Sequence, residues 1–240
     1  FYGPNNPSNT ILSEAELRSL APEALLQRIS QLSAMEHRVL YYGPLAMNEV
    51  SSTVASLHKV PENLSPVPEN DVFKLQTVNE NVVYIAPYDA NQIYMITYAS
   101  KGEKYDVQKS PVLNMYNEYF GGGMNSIVFQ EMREARGLAY SAYALAMEPA
   151  RLEEPYGYFS MIATQNDKMI DALTAFEEII NNMPLSEQAF AIAKEAIISR
   201  LRSERITKEE VLTYYLDQEE LGLTEDTRKH IELLCARLSS

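Results

Sequence analysis

The sequence predicts an α+β fold, an antiparallel sheet with helices packed on one face. Apolar runs of strand length and runs of helical period follow one another as strands, helices, strands, helices. The paired strands are joined by connections of hairpin length, which favours antiparallel pairing. Size sets the scale: 240 residues, 46% hydrophobic and 22% charged, suffice for one or two domains burying roughly 70% of the unfolded surface.

The first block opens with a loop rich in Pro and Asn and reaches "LSEAEL", where Ser13 and Glu16 stand at capping-box spacing. A second helix is expected from Pro22, because proline is pre-set for the first helical turn. "HRVLYYG" reads as a strand ended by Gly43 and Pro44, and Val50, Val54 and Leu57 give the next run helical spacing until Pro61 stops it. The stretch 61–71, with three prolines and few apolar residues, is the expected break. The expected division is residues 1–64, a linker at 65–78, and a second block at 79–240.

That block begins with "NVVYIAPY" and "QIYMITYAS", a hairpin turning over "DAN". A helix follows with Leu113, Tyr116 and Phe120 on one side, and Gly121 to Gly123 break it. The glycines read as a tight turn where backbones approach closely. A phosphate cradle would need a strand before them and a Lys-Ser/Thr pair after, and "GGGMNSIVF" has neither. The next helix covers about Asn125 to Ala135, with Gly137 as its C-terminal cap before the strand pair "LAYSAYALAM" and "GYFSMIAT". From Asp167 the chain reads as three helices, the last starting at the Thr207 and Glu210 capping box and ending at Gly222.

Lys and Arg number 20 against 33 Asp and Glu, a net charge of -13, which argues against nucleic acid and anionic membrane surfaces as partners. No apolar run approaches the roughly 18 residues of a membrane helix, so no membrane span is expected. Cys235, the single cysteine, excludes an internal disulfide and a cysteine metal site, and leaves cytoplasm and periplasm both open. The histidines, His37, His58 and His230, lack the spacing of three or four, with an adjacent glutamate, that puts zinc ligands on one helical face. They read as structural. No nucleophile elbow is visible either.

Arg133 and Tyr140, seven apart on either side of Gly137, are the remaining pair. The segment that holds them, "YFGGGMNSIVFQEMREARGLAYSAYA", resembles the start of the C-terminal domain of the M16 zinc metallopeptidases, the pitrilysin, insulysin and mitochondrial processing peptidase group. The likeness continues through "GYFSMIATQNDKMIDALTAFEEII" and "AKEAIISRL". The first block, with "LSEAELRSLAPEALLQRISQL" and "LHKVP", looks like the closing part of the preceding domain in that family. The resemblance implies an M16-like (LuxS/MPP-like) α+β fold, here a fragment covering parts of two such repeats.

It also implies a division of labour. An N-terminal domain carries the zinc and the catalytic glutamate, and a C-terminal domain of the same fold closes over the peptide substrate. The family's arginine-tyrosine pair then falls on Arg133 and Tyr140, which would donate to the oxyanion formed when a zinc-activated water attacks the amide. Gly121, Gly122, Gly123, Asn125 and Ser126 would contact substrate. The plain structural alternative is a surface ion pair for Arg133 and packing under the sheet for Tyr140. Arg136, whose spacing does not fit, reads as a helix-end charge.

The zinc motif itself is missing from these residues. The expectation is therefore a chain with no metal of its own, inactive alone, that works with a zinc-bearing M16 domain or subunit; the alternatives are a catalytically inactive scaffold subunit and a plain α+β binding module. The resemblance further places the two blocks in swapped order, so "HRVLYYG" is expected to dock beside the second block's sheet. Docking within the chain gives a permuted domain and docking between chains a swapped homodimer.

Overall fold

The computed structural model describes residues 2–68 and 73–238, so residues 69–72 of the expected linker lie outside the described residues. The chain divides into two compact units. Leu75–Arg205 with Leu216–Ser240 form the larger, and Tyr2–Lys74 with Ile206–Tyr215 the smaller.

The smaller unit holds α1 (Glu14–Ser19), α2 (Pro22–Leu32) and α3 (Met47–Leu57), and none of the three has a buried residue. Ser13 caps α1 as expected: its hydroxyl accepts from the Glu16 amide and the Glu16 carboxylate accepts from the Ser13 amide. The expected strand at 38–42 is not formed within the single chain. Those residues are coil, with Val39 57% and Tyr42 56% exposed. The β contact near this segment is a single parallel bridge, in which the Glu36 amide donates to the Ser65 carbonyl and the Ser65 amide to Ala34, each at 2.8 Å. A run of β-branched and aromatic residues makes a strand only where a ladder partner takes its backbone groups.

The larger unit is built on β1 (Gln92–Ala99), β2 (Ser141–Met147) and β3 (Gly157–Gln165), antiparallel in the order β1-β3-β2. The hairpin expected upstream of β1 is absent. Val82 to Ile85 and Tyr88 are exposed coil, Pro87 has no amide hydrogen to offer a ladder, and β1 takes β3 as its partner, Gln92 opposite Gln165. Helices cover one face, as the pattern requires. Ala142, Ala144 and Ile162 point into a core with Phe120, Val128, Met132, Phe176 and Ile179, while Tyr94 and Ile96, on the other face, are 61% and 55% exposed.

Helix α4 (Ser110–Tyr116) runs on as a π-helical turn over Asn117–Gly121. This turn lies along the outer edge of β2, where the Asn117 side-chain amide donates to the Ala146 carbonyl (2.9 Å) and accepts from the Ala146 amide (2.8 Å). Only glycine permits that approach at position 121, because a Cβ there would sit 1.8 Å from the Ala144 oxygen. Helix α5 (Ile127–Phe129) likewise continues as a π-helical turn over Gln130–Ala135. Then come α6 (Met169–Asn181), α7 (Glu187–Ser203), α8 (Val211–Glu220) and α9 (Arg228–Arg237).

Helix α9 is an addition to the sequence reading. Ile231, Leu234, Cys235 and Leu238 carry its helical spacing, and Cys235 is fully buried, its thiol pushed above the usual range by that burial.

Candidate functional site

Arg133 and Tyr140 are brought together by the way α5 ends. In its π-helical turn the Arg136 amide reaches back to the Glu131 carbonyl (3.2 Å), a five-residue step, and the Met132 carbonyl then takes both the Leu138 (2.9 Å) and Ala139 (3.2 Å) amides. Gly137 makes this reversal possible with φ +59, where a side chain would be strained. The chain passes straight into the sheet: the Tyr140 amide donates to the Ala163 carbonyl at 2.8 Å, placing Tyr140 at the threshold of β2.

The Arg133 guanidinium lies between two rings, 5.0 Å from the centre of Phe129 and 5.7 Å from that of Tyr140. Its nearest carboxylate contact is a loose one, 3.6 Å to Glu134. Tyr140 is 73% exposed, so it does not pack under the sheet. Arg136 behaves differently and as expected, as a helix-end charge between Glu131 (3.4 Å) and Glu178 (2.7 Å), and those carboxylates, Glu178 foremost, raise its pKa.

The other residues named from sequence sit around the preceding turn. Gly121 is buried against β2, Gly122 is exposed, Gly123 half-buried and Asn125 exposed. Ser126 is fully buried and caps α5: its hydroxyl donates to the Gly123 carbonyl (2.6 Å) and accepts from the Phe129 amide (3.4 Å). It thereby positions the ring on which Arg133 rests.

A cleft of about 250 Å³ opens beside Tyr140, lined also by Gly137, Thr164, Gln92, Gln165 and Lys168. Lys168, half-buried, donates to the Gly137 carbonyl at 3.2 Å. Sequence reading missed Gln92, Gln165 and Lys168. The first two meet only through the β1–β3 register, and no local motif marks it.

Two histidines also converge, although 21 residues apart. His37 donates from Nδ1 to the Met35 carbonyl (2.6 Å), leaving its Nε2 to accept from His58 Nε2 at 2.7 Å. Two ligands fall short of a zinc site, and among the described residues no group of three or more His, Cys, Asp or Glu could hold a metal. Zinc does not fit the described residues. Among the described residues no helix is long and apolar enough to cross a membrane.

The family model for the peptidase M16 inactive domain matches residues 39–197, more than half of the chain. The chain belongs to that family, and is a non-catalytic M16-type domain. No curated protein matches it. Among solved structures it is similar to a conserved protein from Enterococcus faecalis (14% identity, TM-score 0.68, covering 94% of this chain and 52% of that one). It is also similar to a peptidase M16 inactive domain from Pseudomonas fluorescens (15%, 0.57, 81% and 45%). A third likeness is to a point mutant of the ferredoxin protease FusC in complex with Arabidopsis ferredoxin (14%, 0.55, 96% and 26%). The chain thus spans about half the length, or less, of these structures.

Proposed function

We propose that this chain is the substrate-enclosing, non-catalytic part of an M16-type zinc metalloendopeptidase. It closes over a peptide held at a zinc-bearing domain or subunit elsewhere and presents Arg133 and Tyr140 to the reacting amide. The observation that carries this reading is the exposed stack: Tyr140 is 73% exposed and Arg133 rests on its ring. Among the described residues the Tyr140 hydroxyl has no hydrogen-bond partner.

The chemistry suits the two groups. When water adds to an amide carbonyl, charge grows on the oxygen, and donors fixed beforehand stabilise that charge more than the starting carbonyl. The Phe129 ring lies under the guanidinium, and the hydrogen bond of the Tyr140 amide to Ala163 fixes the backbone from which the tyrosine side chain projects. A protease of the same fold bound to a protein, ferredoxin, supports a polypeptide as the enclosed molecule.

The test is Tyr140→Phe in the assembly that includes the zinc-bearing domain. Turnover should fall by roughly 10²- to 10³-fold with folding and zinc content unchanged. An unchanged rate with an unchanged fold would leave Tyr140 a structural residue.

A further inference from the structure

We infer that the cleft beside Tyr140 is a subsite for a carboxylate of the enclosed peptide, an acidic side chain or a C-terminus. The inference rests on the peptide-enclosing reading and adds the chemistry that the site selects.

The cleft gathers hydrogen-bond donors with capacity to spare. Lys168 uses one ammonium hydrogen on the Gly137 carbonyl and makes no ion pair among the described residues, which leaves two donors. The side-chain amides of Gln92 and Gln165 and the hydroxyl of Tyr140 also line the cleft and have no hydrogen bond among the described residues. Arg133, 5.7 Å from the centre of the Tyr140 ring, is a second cation next to this lining residue. Two opposing charges lie nearby: the exposed Asp167, next to Lys168 in the chain yet not paired with it, and Glu134, 3.6 Å from Arg133.

Charge makes this local arrangement selective. The protein carries -13 overall, so an anion is repelled by most of its surface, and Arg136, the other cation in this region, is already committed to Glu131 and Glu178. A carboxylate accepts from a cation and from neutral donors at once, which a neutral amide oxygen does less strongly. The volume, about 250 Å³, admits one side chain or chain end and no folded element.

The experiment titrates the 240-residue chain by NMR with three probes. N-acetyl-glutamate N-methylamide carries a side-chain carboxylate, N-acetyl-glutamine a terminal one, and N-acetyl-glutamine N-methylamide neither. At least one acidic probe should bind about three- to tenfold tighter than the neutral probe, and the comparison of the two identifies the source. Lys168→Met should abolish that preference, Lys168→Arg should keep it, and added salt should weaken it in the unaltered chain. Equal binding of all three probes, or a preference that survives Lys168→Met or high salt, overturns the inference. Because binding is read without turnover, failure here leaves the Tyr140→Phe test of the donor role standing, and the reverse also holds.

Discussion

Replacing Gly121 by alanine tests the packing from which the site is built. The new Cβ would meet the Ala144 oxygen at 1.8 Å and the Ala144 carbon and nitrogen at 2.6 and 2.7 Å, all of them backbone atoms of β2. Nothing there can rotate away. Restoring contact at 3.4 Å requires the π-helical turn to retreat from β2 by about 1.6 Å. That retreat breaks both Asn117–Ala146 hydrogen bonds, at about 0.5–1.5 kcal/mol each. It also loosens the packing around Phe120, where a misfit costs about 1–3 kcal/mol.

The expected loss is about 2–6 kcal/mol, a large share of the roughly 5–15 kcal/mol that holds a domain together. Urea unfolding of the full chain, followed by circular dichroism and tyrosine fluorescence, measures it. Two companions serve as controls. Gly137→Ala meets no atom within 4 Å but has φ +59, so it should lose only about 1 kcal/mol. Gly123→Ala, whose Cβ would find nothing closer than 3.8 Å, should change stability by less than about 0.5 kcal/mol. If Gly121→Ala costs no more than Gly123→Ala, the close approach of turn and strand is wrong.

Two further outcomes concern charge and metal. Glu148, whose pKa is raised by burial against a lowering hydrogen bond from Ser110, favours its protonated form in the fold; it therefore adds stability at low pH and loses that contribution as pH rises through its folded pKa. Glu148→Gln should raise the melting temperature at neutral pH, with the gain vanishing below the ordinary carboxylate range, as thermal melts across pH would show. Calorimetry of the isolated chain should detect no tight 1:1 zinc binding, since His37 and His58 supply only two ligands; a tight stoichiometric site would refute this.

Much of this molecule could be read from the chain. The β2–β3 pair announces itself by small residues alternating with large ones, "SAYALAM", and the first helix start by the capping box at Ser13, whereas the cap at Ser126 emerges only from the structure. The glycine turn was readable as close approach, though not which of the three glycines needs it; that depends on where Ala144 lies in space. The strands expected at 38–42 and 81–88 failed for a shared reason. Local composition shows that a run suits a ladder, and only the tertiary arrangement shows whether a partner is present. The Arg133–Tyr140 pair came from resemblance, whereas its geometry came from hydrogen bonds five and six residues back along the chain, at Arg136 and Leu138. The cleft was unreadable because it joins residue 92 to residue 165.

The Asn117 amide on Ala146 gives the sheet a finished side. Both backbone groups that Ala146 turns outward are occupied by one side chain held on a π-helical turn, so a further strand arriving at β2 would have to expel that turn first. On the other side of the sheet β1 pairs as a strand with β3, and just past its end the Val78 amide donates to the Ser100 carbonyl at 3.0 Å. Growth of this sheet at β2, whether by an inserted hairpin in a related chain or by misassembly during folding, therefore requires that the Asn117 turn be displaced first.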